Sequence, residues 1–371
     1  MTVRLIPVLF VSLLGGSLIA LACGGTSDVS APSADGGAVA ETSVDGAVDG
    51  TPACTQYATA RCQKLDSCTA GLASRERFGD LATCIARGVL GCSAALAAPD
   101  TSATPEFFTA CAAALTSSSC ADFIDDTNIP QACLNLAGPR ASGAACSFSA
   151  QCQSSWCQVL RGAACGVCAV RPAAGAACTT DSDCGARGLF CSKAGSCVSH
   201  AILGAPCDDA RPCGVALSCV GQTKTVPGAC AAAIQTVGAA CDPKRATAAG
   251  CDGALSLYCG LDDKCASDAL VAAPGACGRL VDSDGGSDDA GASDAGASDA
   301  GVRELSVARC TGGAVCAQGS ATSGTCVAPA ADGAGCDSAS GPPCLAPARC
   351  VTTSDASTGG TCQLPGANAC K

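Results

Sequence analysis

The chain has 371 residues, 35 of them cysteine, and sets 21 Lys and Arg against 32 Asp and Glu for a net charge of −11. So much cysteine beside only 3% aromatic residues excludes a conventional large apolar core and predicts a disulfide scaffold. The acidic balance, with no basic cluster, excludes nucleic acid as a partner.

Arg4 gives the N-terminus a positive charge, Leu5 to Leu14 form an apolar stretch, and Gly15-Gly16 break it ahead of Ser17-Leu18-Ile19-Ala20-Leu21-Ala22-Cys23. Residues 1–22 read as an export signal, because Pro7 and the glycine pair leave the apolar run at the lower limit for spanning a bilayer. Ala20-Leu21-Ala22 also satisfies the rule for ordinary secretory cleavage. The segment resembles the leader of bacterial lipoproteins, since a cut after Ala22 exposes Cys23 followed by Gly24-Gly25. The resemblance implies lipidation of Cys23 and a membrane partner reached through that anchor. Setting Cys23 aside leaves an even 34 cysteines for pairing. Residues 23–53 are small or polar and predict a flexible tether, with an end-to-end distance of about 30 Å.

Residues 54–140 read as an all-helical domain stapled by disulfides. Cys54, Ala58, Cys62 and Leu65 fall on one helix face. Phe78, Leu81, Ile85 and Val89 predict a further helix that ends near Gly91. Thr104-Pro105-Glu106 is a helix start, with Thr as N-cap and Pro at the first helical position, after which Phe108, Cys111 and Leu115 share one side. The eight cysteines here (54, 62, 68, 84, 92, 111, 120, 133) are enough for four internal bridges.

From Gly143 the pattern becomes a repeat. Gly-Ala-x-Cys recurs at Cys146, Cys178, Cys207, Cys241 and Cys336, with a shorter Gly275-Ala276-Cys277 and a final Gly366-Ala367 ahead of Cys370. Most heads stand 29 to 36 residues apart, the period of a modular array. Each unit is too small for a core of its own and predicts loops and β-hairpins held by two bridges. The tails Gly195-Ser196-Cys197, Gly324-Thr325-Cys326 and Gly360-Thr361-Cys362 read as tight turns entering a final strand. The repeats divide into modules at 141–200 and further repeats at 201–371. Residues 282–302, acidic and low in complexity, interrupt the latter and read as a disordered insertion.

Cys146, Cys152, Cys157, Cys165, Cys168, Cys178, Cys184, Cys191 and Cys197 follow one another with x5, x4, x7, x2, x9, x5, x6 and x5 between them. This spacing resembles the N-terminal cysteine-rich domain of the Dickkopf proteins. Those proteins carry an adjacent Cys-Cys pair where this chain has Cys184-Gly185, so nine structural disulfide cysteines stand where ten are expected. One of them needs a partner elsewhere, and Cys370, outside any complete unit, is a candidate. The resemblance implies an extracellular, non-catalytic binding module. Dickkopf antagonism of Wnt signalling is not carried over, because the leader points to a bacterium. The whole layout is similar to cysteine-rich surface lipoproteins of the myxobacterial type.

Catalytic chemistry finds little support. Cys165-Gly166-Val167-Cys168 is the one C-x2-C, and with no second such pair and no α/β pattern around it, it reads as structural rather than as a zinc or redox site. His200, the single histidine, lies in the connector Val198-Ser199-His200-Ala201 and reads as a solvated loop residue. Asp282-Ser283-Asp284 opens like a calcium loop, but Ser293 stands where the bidentate Glu belongs. Trp156, beside Cys157, is either an exposed recognition residue or, more simply, packs on the neighbouring disulfide. No catalytic, cofactor-binding or metal residue is assigned. The expected function is non-enzymatic: a lipid-anchored outer-membrane or cell-surface protein whose repeats bind, adhere or support. Its expected partner is an unknown protein or a polysaccharide. The alternative is a secreted inhibitor-like or ligand-like protein acting on an enzyme or receptor.

Overall fold

The computed structural model describes residues 51–134, 136–185, 188–282, 303–318, 323–337, 339–353, 358–366 and 370. The expected leader, Cys23 and nearly all of the tether lie outside these residues, as does the insertion between 283 and 302. Val48–Lys371 forms one compact unit.

Helix α1 spans Thr51–Thr69, taking up the last three residues of the expected tether. It buries Ala53, Cys54, Ala58, Cys62, Leu65 and Thr69, the face that its spacing predicts. Helix α2 covers Leu72–Phe78 and α3 covers Leu81–Leu96. Phe78 therefore belongs to α2 and not to the helix expected over 78–91. The physical reason is Gly79, which closes α2 at φ 92°, followed by extended Asp80, whose side chain accepts the Thr83 N–H at 2.6 Å and opens α3. Helix α3 also runs past Gly91 to Leu96, and its buried residues are Cys84 and Cys92 rather than Leu81 and Ile85. Bridges Cys54–Cys92 and Cys62–Cys84 clamp α3 antiparallel to α1.

Helix α4 spans Pro105–Leu115, with the Thr104 hydroxyl accepting the Phe107 N–H at 3.2 Å. Helix α5 spans Cys120–Ile124 and is capped by Ser119. Cys68–Cys120 and Cys111–Cys133 complete the bridges of this segment. Among the described residues no single helix is long and apolar enough to cross a membrane.

After Arg140 the chain is six small β modules, with heads at Cys146, Cys178, Cys207, Cys241, Cys277 and Cys336. Every module has one connectivity, first to third cysteine and second to fourth: for module 1 Cys146–Cys157 and Cys152–Cys168, for module 6 Cys336–Cys350 and Cys344–Cys362. Modules 2 to 5 repeat it. The third and fourth cysteines sit directly opposite each other on paired antiparallel strands, as in Cys157↔Cys168 and Cys350↔Cys362, yet each bonds away from the other.

The head motif has a backbone cause. The Gly143, Gly175, Gly204, Gly238 and Gly333 N–H groups donate to the carbonyl of their module's fourth cysteine at 2.7 to 2.8 Å. The fourth cysteine returns the bond to the following alanine carbonyl, as from Cys168 N to Ala144 O at 2.8 Å. This clamp holds the glycine at φ between 76° and 87°, a region that costs any residue with a Cβ.

The tails differ from expectation. Gly195 does lie in a turn, but Gly324 and Gly360 are already inside strands Ser323–Val327 and Gly359–Gln363. They are glycine for lack of space, since an added Cβ would fall 2.3 Å from the Ala317 carbonyl oxygen and 2.2 Å from that of Val351. In module 5, Ala276–Asp282 pairs with Arg303–Cys310 up to Asp282↔Arg303, so the insertion joins the open end of a hairpin.

All six modules touch the helical segment. The Gln151 amide of module 1 donates to Pro99 O at 2.7 Å, and an added Cβ on Gly188 of module 2 would meet Thr127. In module 3 the Val215 N–H reaches the Asp125 carboxylate at 2.9 Å, and in module 4 Ser256 meets Glu76 at 3.4 Å. Gly313 N of module 5 donates to Glu76 O at 2.7 Å, and Arg87 of α3 forks onto Asp332 of module 6 at 2.6 and 2.9 Å. The last bridge, Cys165–Cys370, spans 205 residues and ties the C-terminus to module 1.

Candidate functional site

Every cysteine among the described residues is bridged, in 17 disulfides. Three sulfurs of a module come within 4.8 Å of one another in at least five of the modules, a metal-like spacing. A bridged sulfur has no thiolate to offer, so these clusters read as stacked disulfides and not as a metal centre. Cys165 and Cys168 bond apart, to Cys370 and Cys152, so the C-x2-C does not close on itself. Bridging on this scale is consistent with an extracellular or secreted location.

His200 departs from the expected solvated loop. Its ring stacks on Phe190 at 4.4 Å and its Nδ1 is buried. Trp156 is half-buried at the junction of modules 1 and 2, with the Arg171 guanidinium 4.3 Å from its ring centroid. Of the calcium-like run only Asp282, at a strand end, falls among the described residues.

Carboxylates in the modules serve as loop caps. Asp183 accepts the Thr179 and Thr180 N–H groups at 2.8 and 2.9 Å, and these bonds hold its carboxyl well down, at about 2. Asp242 and Asp337 accept backbone N–H groups in the same way and are likewise lowered. Burial pushes Asp268 up, against the pull of its ion-pair partner Arg309.

Among the described residues, a cavity of about 490 Å³ lies on the helical segment and reaches across to Arg171 of the linker between modules 1 and 2. Tyr57 and Arg61 of α1, Phe107 of α4 and Phe123 of α5 line it, together with Arg77 of α2. The aromatic side is held by packing: Phe108 is buried in the helical core, with Tyr57 at 5.1 Å and Phe107 at 5.2 Å between centroids. Arg61 and Arg77 are exposed, and among the described residues neither side chain makes an ion pair or hydrogen bond. Asp122 stands on the same wall, held charged by bonds from Ser119 and Asn128. Ser118 also lines the cavity, and its Oγ is buried with no hydrogen-bond partner among the described residues. A second cavity of about 390 Å³ shares Tyr57, Arg61 and Phe108 with the first.

This cleft escapes a motif-based reading because its residues come from four helices with no fixed spacing. One signal for it is present in the sequence: six of the ten aromatic residues fall between Tyr57 and Phe148. Its mixture of aromatic faces, free donors and acceptors suits reversible binding of a polar ligand. No protein-family model, no curated protein and no solved structure matches the chain.

Proposed function

We propose that this chain is a non-enzymatic extracytoplasmic protein, anchored through lipid on Cys23 to a bacterial outer membrane or cell surface, that acts by binding or adhesion. In this reading residues 54–140 are an all-helical, disulfide-stapled hub, and the modules brace it and present it away from the membrane on the 23–53 tether. The observation that carries the reading is the helical cleft, where Arg61 and Arg77 stand unpaired beside Tyr57, Phe107 and Phe123. The Dickkopf-like spacing from Cys146 to Cys197 supports a binding role of the same kind.

The test has two parts. Labelled palmitate supplied to the producing cells is expected in the wild-type chain and absent from Cys23→Ala. The disulfide-bonded protein, purified without its leader, is expected to bind washed cells or their extracellular matrix saturably. An unlabelled but binding protein would favour the secreted inhibitor-like or ligand-like alternative, and an absence of saturable binding would remove the adhesion reading.

A further inference from the structure

We propose that the helical cleft recognises acidic sugar units, uronates, along an extracellular polysaccharide; this rests on the binding reading above. Arg61 lines both cavities and Arg77 the larger one, so two cationic groups stand on the cleft. The chain as a whole is strongly acidic, and Arg87, Arg140 and Arg309 pair with Asp332, Asp100 and Glu76. Arg61 and Arg77 have no such pairing among the described residues, and an anion completes them beside the aromatic rings.

The chemistry of a uronate fits each wall. Its carboxylate accepts a forked pair of bonds from a guanidinium. The C–H face of the pyranose lies against the rings of Tyr57, Phe107 and Phe123. Its hydroxyls supply a donor to Asp122. A linear polyuronate repeats its charge at every sugar and so offers a carboxylate to each of Arg61 and Arg77. A peptide end carries one terminal carboxylate, and an acyl chain leaves Asp122 facing methylene groups. Three guanidinium groups, from Arg61, Arg77 and Arg171, oppose the carboxylates of Asp122 and Asp126 in the larger cavity, so the balance there favours a bound anion.

Calorimetric titration of the disulfide-bonded protein with trigalacturonate, maltotriose and the tripeptide Gly-Gly-Phe tests this. Trigalacturonate is expected to bind at least about tenfold more tightly than maltotriose, with an affinity that falls as salt rises. In Arg61→Gln/Arg77→Gln that difference is expected to vanish while the thermal unfolding midpoint stays where it was. Equal affinity for the two sugars, or tighter binding of the tripeptide, overturns the proposal. Matrix binding that survives the double substitution, with no response to trigalacturonate, also overturns it and leaves the adhesion reading standing. Loss of matrix binding by the unsubstituted protein removes both.

Discussion

Ala58 and Gly88 meet midway between two disulfides. A Cβ built on Gly88 would lie 2.9 Å from the Cβ of Ala58, and Cys54–Cys92 and Cys62–Cys84 flank the contact four residues away on either side. The two bridges set how near α1 and α3 must come, and only a residue without a side chain fits the closest point. Gly88→Val is expected to lower stability by about 1–3 kcal/mol through overpacking. Urea unfolding with the disulfides intact measures it, and an unchanged midpoint would show that the helices do not approach this closely.

Two glycines that look alike in sequence are predicted to respond differently. Gly238 sits at φ 79° with no atom within 4 Å of an added Cβ, so its requirement is one of backbone conformation. Gly228 has the Val220 carbonyl oxygen at 2.5 Å and the Cys219 sulfur at 2.8 Å, so its requirement is space. Asparagine tolerates the left-handed region, so Gly238→Asn is expected to cost less than about 1 kcal/mol. Gly228→Asn is expected to block correct pairing of Cys207–Cys219. The yield of native bridges after oxidative refolding distinguishes the two.

The capping aspartates predict an acid limit. Asp183, Asp242 and Asp337 are lowered in the fold, so their contribution is complete above the unfolded carboxylate value near 4 and is lost as pH falls through the folded values, about 2 for Asp183. The urea midpoint should therefore decline between about pH 4 and pH 2. Asp183→Ala should make that decline shallower while lowering stability at pH 7. A variant whose acid profile matches wild type would show that the Thr179–Asp183 cap contributes nothing.

Removing the long bridge should be felt at the chain end. Cys165→Ser/Cys370→Ser opens a loop of 205 residues, but ten bridges already restrict that loop. The loss is therefore expected to be well under the roughly 5 kcal/mol of an unrestrained loop of that size. Hydrogen exchange at the Thr352 amide, which donates to Gly162 O at 2.9 Å, should accelerate while exchange within α1 stays slow. Equal protection at Thr352 would mean that Arg140, which donates to Cys370 O at 2.7 Å, and its neighbours hold module 6 without the disulfide.

Much of this organisation can be read without coordinates wherever one local cause dominates. The buried stripe from Cys54 to Leu65 follows from helical spacing, and Thr104-Pro105 announces α4 because capping needs only adjacent residues. An odd cysteine count between Cys146 and Cys197 points outside the region, and Cys370 supplies the partner of Cys165. Reading fails where the cause is a neighbour distant in sequence. Gly324 and Gly360 mimic turn glycines, since the opposing carbonyls that require them belong to other strands. His200 looks solvated until Phe190 is placed against it. Arg61 and Arg77 carry no signature, because their place in one cavity with aromatic residues arises only when four helices converge.

The link from Cys165 to Cys370 also changes what a protease can do. Residues 283–302 join two strands of module 5, and the chain on either side of them is held by Cys277–Cys316 and by the long bridge. A cut in that stretch leaves a nicked protein of unchanged covalent mass apart from one added water, and no fragment departs. A cut between Cys197 and Cys207, which no module's own bridge spans, is held by Cys165–Cys370 alone, so the cleft stays tethered after damage that would dismember an open string of modules.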